Sequence, residues 1–325
     1  MDIELSSPLR GRKRNIWVDF LAKAGLEADA LIEQTVLVWD ADELVATGSR
    51  YGNILKCIAV ASSRQGEGLL SKVLTVLRQE AFCNGHRHLF LYTKPENAHL
   101  FSPLFFYPVA LTEHVLLMED QKDGIHKFID SLSPVQHEGR VGAAVMNCDP
   151  FTLGHQHLIT YAANACDKLY VFVLSEDKGY FSAADRMEMV KRGTAHLPNV
   201  TVLPTGPYLI SSATFPTYFL KERDQADRIQ CMLDIQIFGQ YFAPAFSISR
   251  RYVGSEPLSP LTNRYNETLK EHLPSHGIEL IQIPRLTQAE TPISASAVRA
   301  ALAGGDWDAV QTLVPKTTFD YLRNK

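Results

Sequence analysis

Val145-Met146-Asn147-Cys148-Asp149-Pro150-Phe151-Thr152-Leu153-Gly154-His155 is the stretch on which the fold of this chain turns. The apolar run Val141 to Met146 has the content of a buried strand, and Asp149-Pro150 breaks it. Helical spacing then resumes, with Leu158, Ile159, Ala162 and Ala165 on one side. Thr152, Gly154 and His155 thereby stand at a helix N-terminus, where unpaired backbone N–H groups and the positive end of the helix dipole favour an anion such as phosphate. Gly154 leaves room for a bulky anion at the backbone, and His155 can give a phosphate oxygen a proton or a hydrogen bond.

Downstream, the same strand–helix–strand order repeats. Leu169 to Leu174 reads as a second strand of a parallel sheet with right-handed crossovers, and Asn199 to Leu203 as a third. Ser175-Glu176-Asp177-Lys178-Gly179 follows the second strand at its carboxyl end, where ligands gather in open α/β sheets. Lys178 is there either a neutralising partner for a triphosphate or a solvated loop lysine. Ser182 and Asp185 form a capping pair that opens a helix carrying Arg186, which reads equally as a site residue or as a surface or salt-bridge residue. Tyr252-Val253-Gly254-Ser255-Glu256-Pro257 ends a strand in a glycine turn. Near the end, Thr291-Pro292-Ile293-Ser294-Ala295-Ser296-Ala297-Val298-Arg299 enters a last helical region, with Ser294 as its cap, Ser296 in its first turn and Arg299 three residues on.

Thr152-Leu153-Gly154-His155 resembles the T/H-x-G-H motif of the nucleotidylyltransferase superfamily, and Ile293 to Arg299 resembles its second motif, I-S-x-T/S-x-x-R. Members join a substrate to the α-phosphate of a nucleotide and release pyrophosphate. The resemblance implies that Thr152, Gly154, Ser294 and Ser296 bind nucleotide, that Gly254, Ser255 and Glu256 lie near the adenosine, and that His155, Lys178 and Arg299 supply positive charge to the phosphates.

The first half alternates strands and helices differently. Leu37 to Trp39 and Glu43 to Thr47 flank a hairpin turn at Asp40-Ala41-Asp42. Leu55 to Val60 is a further strand, followed by a glycine-rich turn, a helix from about Leu69 to Asn84 and a strand at His88 to Tyr92. This order is similar to the acetyltransferase fold called GNAT, whose turn offers backbone N–H groups to the pyrophosphate of coenzyme A. Gln65 and Gly68 match that turn, Gly66 lies within it, and Leu70 departs from its pattern. Leu104-Phe105-Phe106-Tyr107 resembles the family's L-G-F-Y segment, with Phe105 where glycine is usual. Ser131 to Gly139 is polar and turn-rich, so residues 1–134 and 135–325 are expected as the GNAT-like and nucleotidylyltransferase-like domains.

With 325 residues the chain has room for two cores. A net charge of −4 gives no electrostatic reason to expect nucleic acid or an anionic membrane. The basic cluster Arg10, Arg12, Lys13 and Arg14 reads as a solvated terminus. The five cysteines never take a C-x-x-C spacing, which suits free thiols in a reducing cytoplasm and supports neither a disulfide framework nor a zinc site; Cys148 reads as a buried, inert thiol. No signal peptide opens the sequence, and no apolar run reaches the ~18 residues of a membrane span.

The pairing of the two halves is narrower than either superfamily. Leu55-Lys56-Cys57, Gln65 to Leu69, Thr93-Lys94-Pro95, Phe215-Pro216-Thr217-Tyr218-Phe219-Leu220-Lys221 and Arg251 to Pro257 resemble the citrate (pro-3S)-lyase ligase family over nearly the whole chain. This resemblance implies an α/β enzyme with a Rossmann-like nucleotidylyltransferase domain behind a GNAT-like domain. It also implies ATP as substrate with Mg²⁺ on its phosphates, and acetate activated as acetyl-adenylate. The partner implied is the acyl carrier subunit of citrate lyase, whose dephospho-coenzyme A type prosthetic group is acetylated at its thiol; Gln65, Gly66 and Gly68 are candidates to receive that arm. Phe215, Tyr218 and Phe219 read as core or as a wall of the acetate pocket. The alternative is an adenylyltransferase that makes a dinucleotide or dephospho-coenzyme A.

Overall fold

A computed structural model describes every residue of the chain except 178, 210–214, 221–225, 256–259 and 289–290, with the backbone alone at 260–262, 288 and 291–292. Two compact units make up the chain, and they are interleaved in sequence. The first comprises Met1–Gly124 with Thr214–Ile229, and the second Ile125–Ala213 with Gln230–Lys325. The division expected after residue 134 thus falls ten residues earlier in this partition, and the segment carrying Phe215, Tyr218 and Phe219 returns to the first unit.

The first unit is a seven-stranded mixed sheet formed by β1 (Asp2–Ser6), β2 (Gln34–Asp40), β3 (Glu43–Tyr51), β4 (Ile54–Val60), β5 (Phe90–Thr93), β6 (Tyr107–Leu111) and β7 (Leu116–Glu119), in the order β1-β2-β3-β4-β5-β7-β6. Neighbours are antiparallel except β4 and β5, which run parallel and pair only at Ile54–Phe90 and Leu55–Leu91. Parallel strands need a long crossover, and here the helix Leu69–Cys83 provides it. Leu69, Val73, Leu74, Leu77 and Ala81 give that helix one buried face, each large side chain contributing about 1.5–3 kcal/mol on burial. Its close approach requires Gly48 in β3, where a methyl group would lie 2.5 Å from Val73 Cγ1. Strand, turn, helix and strand therefore follow in the order that the acetyltransferase-like reading expects. The basic cluster is solvated as expected: Arg12, Lys13 and Arg14 open the helix Gly11–Lys23 on its exposed side, and Lys13 pairs with Glu4 of β1.

In the second unit β8 (Val141–Met146), β9 (Lys168–Val173), β10 (Val200–Pro204), β11 (Arg250–Gly254) and β12 (Glu279–Ile283) form a wholly parallel sheet in the order β10-β9-β8-β11-β12. Leu169 to Val173 is buried without interruption, as a strand covered on both faces must be. Phe172 packs against Phe238, Phe242 and Phe246 on one face. Val171 and Val173 join Ile159, Ala162 and Met189 in a common core. The strand order reverses between β8 and β11, the switch point at which open parallel sheets leave a crevice at their carboxyl ends. No helix among the described residues is long and apolar enough to cross a membrane.

Phe105 ends a short 3₁₀ turn at φ 61° with its ring 66% exposed, a left-handed conformation that favours glycine. Phe105→Gly is expected to stabilise the protein by up to about 1 kcal/mol, read as a melting temperature raised by a few degrees. A lower melting temperature would mean that the exposed ring contributes more than the backbone strain removes.

Candidate active site

A cleft of about 410 Å³ opens at the carboxyl ends of β8, β11 and β12, lined among others by Asn147, Thr152, His155, Gly254, Arg285 and Arg299. The two helix starts singled out by their spacing meet here. Thr152 precedes the helix Leu153–Ala165, and Ser294 precedes the helix Ala295–Ala303. Gly154 stands between them: a methyl group on it would make ordinary contact with the Ile293 carbonyl oxygen at 3.4 Å and with Thr152 Oγ1 at 3.5 Å.

Thr152 and His155 form a reciprocal cap. The His155 backbone N–H donates to Thr152 Oγ1 at 3.3 Å, and the Thr152 backbone N–H donates to His155 Nδ1 at 3.0 Å. An Nδ1 that accepts a hydrogen bond carries no proton, so the neutral imidazole holds its proton on Nε2. Burial, with the positive Arg285 nearby, pushes the His155 pKa down to about 4. This corrects one expectation: at neutral pH His155 gives the cleft a neutral N–H donor and no positive charge. Its ring stacks on that of the buried Phe151, with centroids 5.9 Å apart.

The positive charge comes from arginine. Arg299 donates to the Asp149 carbonyl oxygen and, at 3.1 Å, to Ser296 Oγ, and its guanidinium is 3.6 Å from the Asp149 carboxylate. Ser294 Oγ accepts from the Ala297 N–H at 3.1 Å, as a cap should. The Asp149 side chain is 7% exposed and also accepts from the backbone N–H groups of Tyr180 and Phe181, at 2.9 and 2.8 Å. One carboxylate thus ties the end of β8 to the loop after β9 and to the second motif. Gly179 allows this, because a methyl group there would lie 2.8 Å from Asp149 Oδ2.

Arg186 is fully buried and is neither a surface residue nor an ion-pair partner in the hydrogen bonds it makes. It donates to the carbonyl oxygens of Phe181 and Glu176 and to the carbonyl and side-chain oxygens of Asn147, the last at 2.6 Å. The Ser182–Asp185 capping pair is present, and Asp185 further binds Tyr321 and Lys325. Lys325, Ser182 and Tyr321 together hold its carboxyl well below the usual range.

Gly254 and Ser255 stand at the end of β11. The Gly254 carbonyl accepts from Asn266 Nδ2 at 2.9 Å, while Ser255 Oγ accepts from the Arg285 N–H at 3.2 Å and so joins the ends of β11 and β12. Lys178 and Glu256 lie outside the described residues. Gln65, Gly66 and Gly68 belong to the first unit, on an exposed turn with Gly66 and Gly68 at φ 86° and 73°. Phe215, Tyr218 and Phe219 are buried in that unit too, the core alternative of their reading. Burial pushes the Cys148 thiol pKa up, which leaves it inert as expected. Asp149 and Arg285 were missed as candidate site residues. For Asp149 the signal was its place between strand and motif, and for Arg285 its place just past the last strand.

The cap fixes a measurable property. An NMR titration of the His155 imidazole is expected to show a midpoint near 4, and a midpoint at or above the ordinary value of about 6.5 contradicts the cap geometry. Because the folded value is the lower one, His155 costs stability progressively as pH falls below about 6.5, where the unfolded chain binds the extra proton.

Residues 141–322 match the family model described as the citrate lyase ligase C-terminal domain. The chain is 41% identical over 321 residues to a citrate (pro-3S)-lyase ligase of Klebsiella pneumoniae, covering 97% of this chain and 94% of that one. It is 39% identical to the enzyme of that name from Escherichia coli strain K12, covering 94% and 89%. A phosphopantetheine adenylyltransferase of Clostridium botulinum is 34% identical over 117 residues, 35% of this chain and 67% of that one. A family model that spans more than half of the chain, together with full-length relatives well above 30% identity, shows that this chain belongs to the citrate (pro-3S)-lyase ligase family.

Proposed function

We propose that the protein uses ATP to activate acetate in the second unit and passes the acetyl group to a thiol of citrate lyase in the cytoplasm. An acetate oxygen attacks the α-phosphorus, the bond to the bridging oxygen of the β-phosphate breaks, and pyrophosphate leaves. The thiol of the dephospho-coenzyme A type group on the acyl carrier subunit then attacks the acetyl carbon. The carbon–oxygen bond to AMP breaks, the thiol proton is lost and AMP departs. The observation that carries this reading is the meeting of two capped helix starts, with the His155 Nε2–H and the Arg299 guanidinium, in one cleft at the switch point of a parallel sheet.

In-line displacement at phosphorus depends on position and charge stabilisation, so no nucleophilic side chain is called for. Thr152, Gly154, Ser294 and Ser296 hold phosphate oxygens through the helix starts. His155 donates to an oxygen on which charge develops, and Arg299, Arg285 and Lys178 balance the triphosphate. Gly254, Ser255 and Glu256 border the adenosine. Among the described residues no three His, Cys, Asp or Glu side chains gather as a metal site, and Asp149 is already engaged by Arg299 and two N–H groups. The phosphates themselves would therefore hold Mg²⁺, which would neutralise part of their charge. Gln65, Gly66 and Gly68 receive the prosthetic arm. The partial likeness to an adenylyltransferase favours a second reading, in which AMP stays on the product.

Product analysis separates the two. Incubated with ATP, acetate and deacetylated citrate lyase, the protein is expected to release AMP and pyrophosphate and to restore a thioester. Pyrophosphate without free AMP would favour the adenylyltransferase. His155→Ala, if folded by circular dichroism, is expected to slow acetate-dependent pyrophosphate exchange by about 100- to 1,000-fold, the scale for one preorganised donor. Near-normal exchange would remove His155 from the chemistry.

A further inference from the structure

Asn147 stands where β8 leaves the sheet, and one side of its amide is already engaged. The fully buried Arg186 donates from Nη1 to the Asn147 carbonyl oxygen at 2.9 Å and to its side-chain Oδ1 at 2.6 Å. The same guanidinium donates to the carbonyl oxygens of Phe181 and Glu176, so it is held in place from several sides. A guanidinium carries donors only, and the amide atom that faces it therefore has to be the oxygen. Nδ2 and its two N–H groups point the other way. Asn147 is exposed on the wall of the cleft that Thr152 and His155 also line, and its Nδ2 makes no hydrogen bond with any described residue. The next residue, Cys148, is buried at φ 55°, a left-handed position that such a residue keeps only where its surroundings enforce it. The amide is thus a neutral donor, fixed from behind and open in front.

The reaction has a use for such a donor that the groups assigned to the phosphates do not meet. When acetate attacks the α-phosphorus, its other carboxylate oxygen becomes the carbonyl oxygen of acetyl-adenylate. When the thiol then attacks the acetyl carbon, the carbonyl electron pair moves onto that same oxygen, and negative charge develops there. A donor already in position favours this charged state over the neutral ester that precedes it. Arg299 is engaged by Asp149, and a cation at this place would also hold the acetate ion before reaction. An uncharged N–H, whose bond strengthens as charge appears, discriminates better.

We propose that the Asn147 Nδ2–H group is the oxyanion donor for acetyl transfer, and that Arg186 is the residue that positions it. The proposal rests on the reading that acetyl-adenylate forms in this cleft. The thiol loses its proton to solvent and its sulfur bonds to the acetyl carbon, while the carbonyl oxygen, now an anion, accepts from Asn147. The electron pair then returns, the carbon–oxygen bond to AMP breaks, and AMP leaves with the bonding pair.

Transfer from added acetyl-adenylate to the thiol of deacetylated citrate lyase isolates this step, and acetate-dependent pyrophosphate exchange reports the first one. Asn147→Asp keeps the shape and an oxygen for Arg186 but turns an acceptor toward the substrate. It is expected to slow transfer by about 100-fold, the scale for losing one preorganised oxyanion donor, with the KM for ATP in exchange unchanged. Asn147→Ala is expected to do the same, and the isosteric variant carries the test if the alanine one does not fold. Transfer at the unmodified rate by Asn147→Asp overturns the proposal, since a merely structural role is met by either side chain. A KM for ATP that rises in step with the lost transfer overturns it as well, by placing Asn147 on the nucleotide. If the unmodified protein itself neither exchanges pyrophosphate nor transfers acetyl, acetate activation in this cleft fails. Exchange and transfer by the unmodified protein with an undiminished Asn147→Asp count against Asn147 alone.

Discussion

The buried carboxylate of Asp149 is the interaction on which the site depends. It accepts the N–H groups of Tyr180 and Phe181 and faces Arg299, so the end of β8, the loop after β9 and the second helix start are held by one side chain. Arg299 is one-third exposed, so solvent screens part of this attraction, and the two N–H groups carry much of the hold on the carboxylate. Arg186 is its counterpart on the same loops, satisfying oxygens of Asn147, Glu176 and Phe181 from a fully buried position. Phosphoryl chemistry gains most from groups that need not move during the reaction. Under the proposed function, the groups that would approach the phosphates are fixed from below by others that would not.

That frame also explains the state of His155. A histidine whose Nδ1 accepts the N–H of Thr152 is committed to one tautomer. Burial and Arg285 keep it neutral, so in the proposed reaction it would contribute direction, while Arg285 and Arg299 would contribute charge. Ser255 and Asn266 bind the ends of β11 and β12 into the same wall.

Local signals made much of this legible in the sequence. Both helix starts and the strands around them follow from apolar periodicity, Asp149-Pro150, and capping residues at Thr152, Ser182 and Ser294. The GNAT-like order of the first unit was equally readable, and Phe105 marked a left-handed position because glycine was expected there. What stayed hidden is tertiary. Nothing local shows that Arg186 turns inward to four oxygens, since an arginine on an amphipathic helix is usually solvated. Nothing local shows that residues 214–229 leave the second unit to complete the first, because a reading along the chain assigns contiguous blocks. The charge of His155 was misread for a related reason: the motif gives the residue type, but its protonation depends on burial and on Arg285, far away in sequence.

The central claim is that acetate attacks the α-phosphorus of ATP in the cleft between the two helix starts. Carboxyl-¹⁸O-labelled acetate tests it most directly, with the full reaction run to completion and the products resolved by mass spectrometry. Attack at the α-phosphorus leaves one acetate oxygen on AMP, so AMP carrying a single ¹⁸O is the expected result. Label in inorganic phosphate or pyrophosphate, with unlabelled AMP, would place the attack at another phosphorus and contradict the account.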